Sequence, residues 1–280
     1  MQQKWKSRLE VMGIYLIFAV MFVIILYPLL WAVGMSLNAG RSLYSSSIIP
    51  QNFSFEHYRW LFTDPNSYYL IWYKNTLIVA VCTAFFSTVI TALIAYAVSR
   101  YEFVGRKSGL YLFLLLQMFP VMMAMVALYI LLNLIGLLDT LTGLILIYIG
   151  MQIPFNAWLV KGYYDTIPRE LDEAARIDGA GHLTVFLKIM LPLAKPILAI
   201  VALFSLMVPM LDFILPSIIL HSREKYTLAV GLFQFINDEF SNNFTRFAAG
   251  AVLIALPVSL IYLFLQRYLI SGLTAGSTKG

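Results

Sequence analysis

By length alone, 280 residues would make one or two soluble domains. The composition points elsewhere: 61% of residues are hydrophobic and only 12% charged, more apolar side chain than a soluble core can hide, so the expected solvent is a bilayer. A single cysteine, Cys82, excludes an internal disulfide framework or cysteine metal cluster, and the net charge of +5 is spread as membrane orientation rather than as a nucleic-acid patch.

The first segment, MQQKWKSRLE, is short and basic. The uncharged run that follows, Val11 to Gly40, is too long for a signal-peptide core, no small-residue cleavage site follows it neatly, and it reads as a retained span over about 11–37. Residues 38–71 are polar and aromatic, with Pro50, Asn52, Asp64, Pro65 and Asn66 as turn signals. Ser54 is expected to cap a short helix carrying Tyr58, Trp60, Leu61 and Phe62 at an outer interface, where rings favour the headgroup level.

A second span is expected over 75–99, followed by a basic hinge, RYEFVGRKSG. The third, 110–135, is interrupted by Pro120, and Gly136 to Thr140 reads as a tight outer turn containing Asp139. The fourth, 141–160, contains Pro154; after a polar loop, 161–195, come a fifth span at 196–220, an outer loop from His221 to Arg246, and a sixth at 247–267. A small-residue tail, 271–280, completes a single domain over 1–280. The expected fold class is therefore an all-α polytopic membrane protein with six transmembrane helices.

Six spans put both termini on one side. With the N-terminus inside, thirteen Lys and Arg fall on inner segments and six on outer ones, so the termini and the 161–195 loop are expected in the cytoplasm.

Most of that loop is the longest charged interval of the chain, PRELDEAARIDGAGHLTVFLKIMLPLAKP, from Pro168 to Pro196 at the start of the fifth span. Pro168 suits a first helical turn, and residues through Ile177 are good helix formers. Leu171, Ala174, Ala175 and Asp178 share a face, thinned by the two alanines so that another surface can approach. Gly179 and Gly181 each tolerate positive φ and break the helix, Asp178 is placed to cap the turn or the next helix, and a second helix runs from about Leu183 to Met190.

The spacing of Glu173-Ala174-Ala175, Asp178-Gly179-Ala180, Phe186, Ile189, Leu191-Pro192 and Pro196 resembles the EAA loop of ABC-importer permeases. PQNFSFEHYRWLF, YKNT and the ending FLQRYLISGLTAGSTKG are similar to the smaller permease subunit of maltose/maltodextrin-type importers, including relatives that handle galacto-oligosaccharides. The resemblance implies a type I importer permease fold. It implies that the loop is a coupling helix seated in a cleft of a cytoplasmic ATPase, carried by Glu173, Ala174, Ala175, Asp178, Gly179, Ala180 and Gly181. It implies partners: a second, larger permease, two copies of the ATPase, and an extracytoplasmic sugar-binding protein, in a bacterial plasma membrane. The tail, with Gly272, Thr274 and Gly276, becomes a second ATPase contact.

No GxxxxGK[ST] phosphate loop, HExxH or GxSxG motif occurs, so the chain itself is expected to be non-catalytic and to bind no cofactor or metal, with ATP and Mg used by the partner. Asp212, between Pro209 and Pro216, is the only acidic residue placed inside a span; it either lines a translocation path or positions its helix, or else makes an internal hydrogen bond near the outer end. Gln117, Asn133, Gln152 and Asn156 either meet sugar hydroxyls or link helices. A secondary sugar carrier and a structural scaffold are the competing classes.

Overall fold

The computed structural model describes residues 2–41, 48–237 and 242–274, with side chains described over 11–264 within those bounds except at 107. Among them the chain is helical, and extended backbone pairs only once, between Asn38 and Phe53. In order the helices are α1 (Gln2–Ser36), α2 (Glu56–Thr63), α3 (Tyr69–Arg100), α4 (Arg106–Gln117), α5 (Val121–Leu134), α6 (Leu141–Tyr164), α7 (Glu170–Ile177) and α8 (His182–Val185). A π-helical turn, Phe186–Met190, leads into α9 (Leu191–Leu193) and α10 (Lys195–Leu211). Then come α11 (Ile214–Ile219), a 3-10 turn (Arg223–Lys225), α12 (Leu228–Phe233) and α13 (Phe244–Thr274).

Four stretches are long and apolar enough to cross a membrane: Val11–Ser36, Tyr69–Arg100, Leu141–Tyr164 and Phe244–Phe264. Two bent pairs raise the number to six if each is one span. The third expected span is thus not a straight rod. Pro120 takes extended backbone before α5, and the chain bends by 98° between Ser108–Gln117 and Val121–Leu134. The segment His182–Leu193 likewise meets α10 at 79°. The expected fifth span is also cut short: α10 stops at Leu211, and Asp212 has extended backbone.

The chain divides into two compact units. The first comprises Met1–Tyr69 and Leu232–Leu256. In it α1 is exposed along nearly all of 11–30, as befits a helix whose neighbour is lipid or another chain. The Ser54 hydroxyl accepts the Glu56 N–H, but Phe55 is the cap residue of α2, so Ser54 braces the helix one position earlier than expected. The Arg246 guanidinium lies 3.6 Å over the Trp60 ring, and Thr245 donates to the Gly40 carbonyl at 2.6 Å.

The second unit, Leu70–Gly231 and Pro257–Gly280, holds two buried clusters. One gathers Val79, Met125, Leu132, Leu144, Ile147, Tyr148, Leu215, Ile219 and Leu220. Asp139 closes its end. Its backbone takes φ 55, a conformation a short polar residue tolerates. Its N–H donates to the Ile219 carbonyl at 3.0 Å, and its carboxylate accepts from the His221 and Ser222 N–H groups, the Ser222 hydroxyl and the Lys225 ammonium. Burial alone would raise the Asp139 pKa, yet these donors outweigh it and hold the group well below the usual carboxylate range. Nearby, Trp72 is wholly buried and donates from its indole to the Arg223 carbonyl at 2.7 Å. A Cβ at Gly231 would lie 2.1 Å from the Trp72 ring, so only glycine permits this approach. The other cluster surrounds the opposite end of α3 and is the footing of the candidate site.

Candidate coupling site

α7 begins at Glu170, so Pro168 stands one residue before the Arg169 cap position, not in the first turn. Three acidic residues, Glu170, Asp172 and Glu173, occupy that first turn, where the helix dipole favours negative charge. The helix closes in a Schellman motif. Gly179 takes φ +85, the Gly179 N–H bonds to the Arg176 carbonyl at 3.0 Å, and the Ala180 N–H reaches the Ala175 carbonyl at 2.9 Å. Ala175 and Ala180, the residues this motif brings together, both pack against the buried cluster.

Two expectations are corrected here. Gly181 does not use positive φ: it sits at φ −71 in extended backbone. Asp178 caps neither the turn nor the next helix with its side chain; it is the C-cap residue of α7, and Gly181 stands before α8 as an N-cap residue with no side-chain cap.

The result is a two-armed finger, α7 then α8, turning at Gly179. Glu173, Ala174, Asp178, Gly179 and Gly181 are exposed, while Ala175 and Ala180 face its base. The expected common face is therefore divided, since Ala175 turns inward while Leu171, Ala174 and Asp178 stay outside. Leu171, Ile177 and Leu183 form an exposed apolar set on the finger, Ile177 at 87% exposure.

The base is apolar and polar by turns. Tyr96, Val160, Tyr164, Ile167, Val185, Phe186, Met190, Ala194, Ile197 and Val201 form its buried floor. Above it the last turn of α3 meets the start of α7. The Arg100 Nε lies 2.5 Å from Asp172 Oδ2, with the side chains only 4% and 6% exposed. Arg100 also donates to the Ile167 carbonyl at 2.9 Å. Arg106 and Arg169 both donate to the Ser99 carbonyl, a group at the end of α3 that has run out of helical partners. The Ser99 hydroxyl donates to Asp165 at 2.7 Å, and Asp165 pairs with Lys161 one turn back. Tyr101 OH lies 2.8 Å from the His182 Nδ1.

Sequence reasoning missed Arg100, Asp172, Ser99 and Asp165. Asp172 was legible only as one acid of an acidic first turn, and its burial becomes visible once α3 is folded against it.

The residues considered for a translocation path scatter. Asp212 is not inside a helical span: it ends α10, accepts from Tyr148 OH at 2.9 Å and from the Ile214 N–H at 2.9 Å, and so ties α6, α10 and α11 together. Asn156 is buried and donates to Ser205 Oγ at 3.3 Å, and Ser205 reaches Ser87 at 3.4 Å, a link across α6, α10 and α3. Gln117 is exposed at the end of α4 and donates to the Met151 carbonyl at 3.3 Å. Gly272 and Thr274 lie in the last turns of α13, and Gly276 falls outside the described residues. Among the described residues no group of three or more His, Cys, Asp and Glu is set to hold a metal ion.

Membrane-length helices and broken spans, with a short helix pair between two of them, define a polytopic membrane protein. A family model described as "Binding-protein-dependent transport system inner membrane component" matches residues 88–274, and the chain belongs to that family. It is 48% identical to the galactooligosaccharides transport system permease protein GanQ of Bacillus subtilis (strain 168), over 99% of this chain and 98% of that one. It is 46% identical to the maltodextrin transport system permease protein MdxG of the same strain, over 95% of each. A chain of a bacterial ABC transporter involved in the import of the acidic polysaccharide alginate superposes with a TM-score of 0.82 at 25% identity, covering 94% of this chain and 97% of that one.

Proposed function

We propose that this chain is a permease subunit of an ATP-driven oligosaccharide importer, with maltodextrins and galacto-oligosaccharides as the substrate class. The names and full-length similarity of GanQ and MdxG support this reading. In it the chain is non-catalytic and spans a bacterial plasma membrane with both termini and the finger in the cytoplasm. It pairs with a second, larger permease, two ATPase copies that use ATP and Mg, and an extracytoplasmic sugar-binding protein. The observation that carries it is the finger itself: Glu173, Ala174, Asp178, Gly179 and Gly181 stand exposed, as do Leu171, Ile177 and Leu183, while Ala175 and Ala180 anchor the element from beneath. A thin, apolar-tipped helix pair of that kind suits the cleft of another protein. The terminal residues Gly272, Thr274 and Gly276 supply a second ATPase contact, and Asp212, Gln117 and Asn156 act as helix ties beside the path rather than as sugar ligands.

Purification of the tagged chain, followed by reconstitution with the proteins that copurify, tests the assignment. A nucleotide-hydrolysing subunit and a second permease should copurify, and sugar uptake should require ATP and survive a proton ionophore. Uptake by the chain alone that collapses with ionophore would replace the reading with a secondary carrier.

A further inference from the structure

The finger is joined by sequence to α10 through the π-helical turn and α9. Its polar side-chain ties run instead to the end of α3. Asp172, near the start of α7, holds Arg100 at the end of α3; His182, the first residue of α8, meets Tyr101, the residue after α3. One helix end therefore grips the finger on both sides of its Gly179 corner. Arg100 further fixes the approach to α7 through the Ile167 carbonyl, and Arg169 returns from the α7 cap position to the Ser99 carbonyl.

The choice of groups is informative. Withdrawing two charges from water is costly, and a buried ion pair is often no more stabilising than apolar packing of the same volume. An apolar floor is already present directly beneath this one. What the buried pair adds is a fixed charge-to-charge contact between the end of α3 and the start of α7. Both helix dipoles support it, since Arg100 is the last residue of α3 and Asp172 lies in the first turn of α7.

We propose that Arg100 and Asp172 are positioning residues of the transport cycle: with Tyr101 and His182 they clamp the finger to the end of α3, so that a displacement of the finger drives α3 directly rather than through α10 alone. The proposal rests on the finger being the contact with the ATPase.

The test uses the whole reconstituted complex and reads sugar molecules imported per ATP hydrolysed. Asp172→Asn and Arg100→Gln should lower that ratio at least tenfold while ATP hydrolysis continues, and Arg100→Lys, which keeps the charge, should retain more of it than Arg100→Gln. A ratio unchanged per assembled complex, with only the amount of complex reduced, would make the pair merely structural and overturn the proposal. A second measurement does not depend on the variants folding. Spin labels at Glu102 and Arg176, both exposed, should keep a constant separation with and without ATP, and a separation that changes with nucleotide would also overturn it. Cross-linking from Ala174 to the ATPase separates the two failures: its loss removes the coupling reading itself, whereas its persistence with an intact ratio in Asp172→Asn removes only the clamp.

Discussion

Asp172 and Glu173 are neighbours in sequence and opposites in environment: the first is buried against Arg100, the second stands exposed on the finger. Successive residues on a helix point about 100° apart, so one acidic run serves as both footing and contact surface. Glu173→Lys therefore reverses charge on the outer side without disturbing the footing, and we expect uptake to fall at least tenfold while membrane insertion stays normal; normal uptake would reject the contact. Gly179→Val attacks the corner instead, since a β-branched side chain at φ +85 costs about 1–2 kcal/mol, and the same uptake and insertion assays should show uptake lost from an inserted protein.

Asp139 gives a pH-dependent prediction. Its folded pKa is depressed, so its contribution is present above the unfolded value, about 3.9, and is lost as pH falls through the lower folded value. Asp139→Asn should lower the unfolding temperature by a constant amount above about pH 4, and the gap from wild type should close below it. A gap that widens on acidification would show that the carboxylate is not held in its charged form.

Among the elements, α6, α10 and α3 are tied by Asn156, Ser205 and Ser87, and α6 to α10 and α11 by Tyr148 and Asp212. Such links between membrane helices are each worth about 0.6 kcal/mol and rarely above about 2. Asn156→Ala should thus cost about 0.5–2 kcal/mol in stability and leave the apparent affinity for sugar unchanged. A large rise in the sugar concentration needed for half-maximal uptake would return Asn156 to the translocation path. The breaks also belong to this scale. Pro120 marks the interruption of the third span from sequence, because its ring and missing N–H oppose a continuous helix. The 98° bend there depends on packing that no local rule supplies.

For the molecule as a whole, apolar runs were the legible part. Runs long enough to cross a bilayer must form helices to satisfy their backbone, and α1, α3, α6 and α13 fall where the composition places them. The finger was legible because Gly179 and the surrounding helix formers specify it locally, and its closing motif uses only neighbours. The helix link at Asn156 and the internal hydrogen bond at Asp212 were among the readings, but their partners across distant segments escaped. Arg100 reads as one more inner cation, Asp172 as one more helix-start acid, and Asp212 as a charge inside a span; each acquires its meaning only when α3, α7, α6 and α10 are folded together.

Replacing Cys82 with serine and Ala174 with cysteine gives the finger one reactive thiol in the assembled complex. The account predicts that an impermeant thiol reagent reaches it only from the cytoplasmic side, and that a short cross-linker joins it to the ATPase. Labelling from outside intact cells, or no cross-link in a complex that still imports sugar, would contradict it.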